Sequence, residues 1–135
     1  MSWAALLALL VLDAFVLARL PVRTDAWYDA EASVVELVLG LLALVTGVGT
    51  FALRETLVLR DLRSGAIDPN TASGFARVRR MLFALWSLCL VIAGLGNVLA
   101  WGAAQPIAAA PFLLGAAVLL AVHAPRGWLF AGSAG

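Results

Sequence analysis

Three polar side chains stand in stretches that are otherwise apolar: Asp13, Glu36 and Asn97. A carboxyl group can carry a proton or hold a cation, and an amide can both donate and accept hydrogen bonds. Acids inside a membrane span are functional-site candidates by default, as proton relays or ion sites. The other chemistry open to them is structural, since a carboxyl group bonded to a neighbouring helix ties two spans together. Asp13 is the most informative of the three because it falls near the middle of an apolar run. On insertion scales a central Asp costs about 2.5–3.5 kcal/mol, while each Leu, Val or Phe returns about 0.3–0.6. The ten such residues between Leu6 and Leu20 together return roughly 3–6 kcal/mol. The helix inserts with a thin margin, so its carboxyl should face protein or water, not lipid.

The elements that must position these groups are four apolar runs, at about 3–20, 34–53, 81–101 and 106–123. Each is near the roughly 20 residues a membrane span needs. The chain is 64% hydrophobic and 13% charged, with a mean hydropathy of +1.02; ordinary soluble domains are about 45–50% apolar and about 25% charged. At 135 residues there is room for one domain. The expected fold is therefore all-α, an integral membrane four-helix bundle in a single domain over 1–135. The first run resembles a signal peptide, but its start lacks a basic residue and Asp13 interrupts it, so it reads as a retained helix.

Between the second and third runs lies an elbow, 54–80. No Gly or Pro occurs between Arg54 and Ser64, so the second helix should continue to Arg63. Gly65 suits a helix C-terminus, and Asp68 before Pro69 suits a new N-cap. The tail, 131–135, is low-complexity and reads as mobile.

Arginine placement sets the orientation. The segment Arg54–Arg80 holds six of the nine Arg against Glu55, Asp61 and Asp68, so the elbow should be cytoplasmic and, with four spans, both termini as well. Trp27, Tyr28 and Trp101 then fall at the outer interface, and Trp3 and Trp128 at the inner one. In this orientation Asp13, Glu36 and Asn97 all lie in the outer half of the bilayer, where they would form one polar cluster if they faced inward together.

At 100° per residue, Glu36, Gly40, Ala43 and Gly47 fall in a stripe of about 60°. Small residues let helix backbones approach closely. On the third run Ala93 shares a face with Asn97, flanked by Gly94 and Ala100. If the two stripes pack together, Glu36 comes near Asn97, either as simple packing or as a small proton or ion site. Arg77, Arg79 and Arg80 could bind anionic lipid headgroups at roughly 1 kcal/mol each, dock a soluble partner, or merely set topology. The link Asp25–Glu31 could attract a cation but offers too few placed oxygens for a calcium site.

Other chemistries find little support. One Cys and one His cannot make a zinc site within one chain, and a haem held by two His123 side chains would need a second copy. The Gly47-Val48-Gly49 triplet lacks the Lys and the spacing of a phosphate loop. A net charge of +1 gives no reason to expect a nucleic acid. No enzyme chemistry, cofactor or metal is expected.

In size, in its four apolar runs and in its one acid near residue 13, the chain resembles the small multidrug-resistance transporters, whose first span carries an essential Glu. The resemblance is one of architecture. The middle loop is much longer here, and that family's glycine and aromatic motifs are not found in the third run.

The expected function is that of a non-enzymatic subunit or helix-packing component of a membrane assembly, in a bacterial inner (plasma) membrane. Its partners would be the lipid bilayer and either further copies of itself or other membrane subunits. The rival expectation is an oligomeric proton- or cation-coupled transporter or channel that uses Asp13. The orientation is checked with single cysteines in a Cys89→Ala background. An elbow cysteine should react with a membrane-impermeant reagent only after the cell is opened, and labelling from outside would reverse the topology.

Overall fold

The computed structural model describes residues 3–21 and 32–125. The first link with Trp27, Tyr28 and its acids, and the C-terminal segment with Trp128 and the tail, lie outside the described residues. All regular structure among the described residues is helical. Helix α1 is Trp3–Arg19. Helix α2 is Ala32–Arg54, carried on without a break by a π turn, Glu55–Leu59, and a last α turn, Arg60–Arg63. Helix α3 is Ala72–Gly102. A 3-10 turn, Pro106–Ala109, leads into α4, Ala110–Val122.

The elbow is two helix ends and a short loop. With no Gly or Pro to stop it, α2 runs on until Gly65, whose φ of 71° is a left-handed value that glycine takes without a Cβ penalty. Its N–H bonds back to the Leu62 carbonyl at 3.3 Å, closing the helix. The N-cap of α3 is Thr71, not Asp68: the Thr71 hydroxyl accepts from the Gly74 N–H at 3.1 Å. Asp68 is taken up by the preceding turn, where its Oδ1 accepts from the Asn70 N–H at 2.9 Å, a local bond that competes with capping. Gly74 is required by close approach, because a Cβ there would stand 1.9 Å from the Asp68 carbonyl oxygen. Val58, Ile67 and Val78 are buried and belong to the same core as the bundle. The elbow is thus a folded tip, braced outside by Arg63 on Glu55 and by Arg77 on Asp61 at 3.5 Å.

Helix α3 is the centre of the bundle. It packs on α1, α2 and α4, whereas α1 and α2 share no contact. Its buried side runs through Leu82, Leu85, Trp86, Cys89, Ile92, Ala93 and Gly96. Helices α3 and α4 meet most closely at Gly96, where a Cβ would lie 2.5 Å from the Phe112 Cβ. The tight link between them closes α3 with the paired bonds of a Schellman ending, Gln105 N–H to Ala100 O at 3.1 Å and Ala104 N–H to Trp101 O at 3.3 Å. Ala104 holds the left-handed position there, at φ 56°.

Two helices are long and apolar enough to cross a membrane: Val34–Arg63 and Ala72–Gly102, each with a mean hydropathy of 2.1. Two shorter apolar helices, α1 and Pro106–Val122, stand beside them. Only 11% of the apolar window of α2 is buried, against 44% in α3. Leu37, Leu44, Val45 and Val48 all project outward from α2. At 1.5 Å per residue, α2 with its extension and α3 are each more than about 45 Å long, longer than the ~30 Å of bilayer hydrocarbon.

The Gly96 contact makes a sharp comparison possible. Gly96→Ala should lower stability by about 1–3 kcal/mol through overpacking against Phe112. Gly94→Ala meets nothing within 4 Å and should stay within about 0.5 kcal/mol of wild type. Unfolding of both variants in detergent micelles measures the difference.

Candidate functional site

Asp13 and Asn97 meet. The Asn97 Nδ2 donates to Asp13 Oδ1 at 3.1 Å and to Oδ2 at 3.0 Å, a contact that joins α1 to α3. Asp13 is half-buried, as is Asn97. With Nδ2 shared between both carboxyl oxygens, Asn97 Oδ1 is left buried with no hydrogen-bond partner among the described residues. A carboxylate can only accept, so it selects the amide's N–H side. A protonated carboxyl could instead donate to a turned-over amide, pairing O–H with Oδ1 and N–H with the second carboxyl oxygen. Only that second arrangement would give Asn97 Oδ1 a partner.

Glu36 does not join this cluster. It is exposed and lines an open groove between α2 and α4, of about 940 Å³, together with Gly40, Ala43, Gly47, Phe112 and Gly115. Asn97 faces α1, and α3 stands between α1 and α2, so acids at similar depth end on opposite sides of the molecule. The small-residue stripe of α2 divides likewise. A Cβ on Gly47 would touch Leu119 Cδ1 at 3.4 Å and Ile92 Cδ1 at 3.8 Å, while a Cβ on Gly40 would meet nothing within 4 Å. Gly47 thus packs on α3 and α4, and the expected helix contact at Gly40 is not made within the chain. Ala43 is half-buried against the core and Ala93 is inside it. Arg77, Arg79 and Arg80 are exposed at the elbow end of α3.

A second polar site gathers at the end of α4. The last carbonyls of a helix lack partners within it. Here the Trp3 indole N–H donates to the Leu120 carbonyl at 2.9 Å and the Trp86 indole N–H to the His123 carbonyl at 2.9 Å. Trp3, half-buried, thereby turns its indole N–H toward α4. The Thr50 hydroxyl donates to the Gly47 carbonyl at 2.7 Å, so it can only accept from His123 Nε2 at 3.0 Å. That assigns the ring proton to Nε2. His123 is 1% exposed and Thr50 0%, and Phe51 leans on the imidazole with centroids 5.0 Å apart. All four helices contribute to this junction. A need for indole partners at Trp3 and Trp86 was a signal the sequence carried; which carbonyls they would reach was not.

Among the described residues no group of three or more His, Cys, Asp or Glu could hold a metal ion. Cys89 is free and fully enclosed.

The junction is tested through Thr50. Thr50→Val leaves the His123 ring unpaired and should lower stability by about 1–3 kcal/mol, whereas Thr50→Ser keeps the hydroxyl and should retain most of it. Thermal unfolding in micelles reads both. Compared with known proteins, the chain matches no family model, no curated protein and no solved structure.

Proposed function

We propose that this chain is a small polytopic membrane protein, with four spans and cytoplasmic termini, that serves as a non-enzymatic helix-packing subunit of an assembly in a bacterial inner membrane. The observation that carries the reading is α2. Its outer face is an uncovered apolar surface, with Leu37, Leu41, Leu44, Val45 and Val48 exposed, and monomeric soluble proteins rarely leave so large a contiguous apolar face exposed. The short helices α1 and α4 end where the indoles cap α4, and the elbow continues past that level with Arg60, Arg63, Arg77, Arg79 and Arg80 exposed, as a helical hairpin on the cytoplasmic side would. There Arg77, Arg79 and Arg80 would meet anionic headgroups. The Asp13–Asn97 pair then acts as a polar tie between two spans.

A second reading has one specific observation in its favour. The unpartnered Asn97 Oδ1 gives the pair a second arrangement once Asp13 carries a proton, which suits a proton- or cation-coupled transporter. The two readings part at Asp13. Asp13→Asn keeps hydrogen bonding but cannot carry a proton, and Asp13→Leu removes both. In a structural tie, Asn supports wild-type folded yield and assembly while Leu lowers yield severalfold. In a carrier, Asn gives stable protein whose proton-driven flux in vesicles is lost. Purification in mild detergent, with identification of what co-elutes, tests the subunit reading itself: a protein that elutes alone as a monomer contradicts it.

A further inference from the structure

Resting on the membrane reading above, we propose that the groove between α2 and α4 receives helix α1 of a second copy of this chain, with Arg19 of one copy on Glu36 of the next.

The groove is floored by small residues. Neither Gly40 nor Gly115 has anything within 4 Å of a built Cβ, so a helix can enter to backbone distance. Its lining is apolar except for Glu36, which is exposed at one end. The occupant must therefore be an apolar helix with a cation at that height.

Helix α1 meets this description. It packs on α3 and α4 with Leu6, Leu10 and Leu17 buried. Ala8, Leu12, Phe15 and Arg19 are exposed and share a stripe of about 60° on the opposite face. The Arg19 guanidinium lies over the Phe15 ring at 4.9 Å. Among the described residues neither Arg19 nor Glu36 has an ion-pair partner.

Heights agree as well. Trp3, Thr50, Trp86 and His123 mark one level, since they meet at the end of α4. Counting 1.5 Å per residue from it, Asp13 stands at about 15 Å and Asn97 at about 16 Å, and these two are hydrogen-bonded. On the same scale Arg19 stands at about 24 Å and Glu36 at about 21 Å. Because α1 and α2 do not touch, the two charges lie on separate faces of one molecule. The contact is heterologous, head to tail, and copies held upright by a membrane close it into a ring about the membrane normal.

The test is disulfide trapping in membranes, in a Cys89→Ala background. Leu12 and Leu41 share a height of about 13 Å, and Leu41 lines the groove. Two differently tagged copies, one with Leu12→Cys and one with Leu41→Cys, should cross-link to each other on oxidation. Arg19→Glu or Glu36→Arg alone should cut the product at least tenfold, and the two together should restore it to within twofold of the parent. Gly40→Leu fills the groove from a position whose Cβ meets nothing within 4 Å and should abolish the product while the protein stays folded. No cross-link, an equally strong Leu12–Leu12 product, capture of a different protein at Leu41→Cys, or failure of the charge swap to restore would each overturn the proposal. An alkaline wash keeps the two claims apart: protein retained in membranes without the cross-link sinks the assembly alone, and protein released by the wash sinks the membrane reading.

Discussion

The helix end at His123 is where the structure is most constrained. A helix terminus buried away from water must have its carbonyls satisfied, since each buried polar group left unpaired costs about 1–3 kcal/mol. Helix α4 ends inside the bundle, and its partners come from α1 through Trp3, from α3 through Trp86 and from α2 through Thr50. These bonds fix the relative heights of all four helices. Close contacts such as Gly96 on Phe112 then set which helix faces meet.

The two polar sites differ in how they use this frame. In the junction near His123 the donors are committed, and the ring nitrogen Nδ1 is an acceptor without a partner among the described residues. The Asp13–Asn97 pair, about ten residues further along α1, is half-buried and keeps an acceptor unpaired.

Depth along each helix was legible in the sequence, and direction around it was not. Counting from span ends puts Asp13, Glu36 and Asn97 in one layer, and the structure joins two of them. Glu36 is separated because hydropathy says nothing about which face of α3 each neighbour takes. The stripe Gly40–Gly47 was visible as small residues at helical spacing, yet Ala43 and Gly47 pack inward while a Cβ on Gly40 would meet nothing within 4 Å. Gly96 lies beside the face of Asn97 and Ala93, and spacing alone does not mark which small residue a neighbour approaches. The continuation of α2 to Arg63 followed from the lack of breakers, and Gly65 as its stop from backbone sterics. Thr71 in place of Asp68 as N-cap depended on a local side-chain turn that spacing rules do not resolve. The all-helical fold, with two helices long enough to cross a membrane, needed only composition and run length.

The π turn at Glu55–Leu59 acts as a phase adjuster. In an unbroken α-helix, Val58 would point about 80° away from Thr50. A π turn advances by roughly 80° per residue instead of 100°, and over these residues the lag accumulates to about the missing angle. Val58 is thereby brought back into line with Thr50 and buried, so one continuous helix keeps its inner side on a single core from the bundle to the elbow tip. The added backbone residue also makes this turn the natural place for the chain to gain or lose a single position. Such a change would turn Val58 by about 100° and take it out of line with Thr50, while leaving the contacts above Thr50 in place.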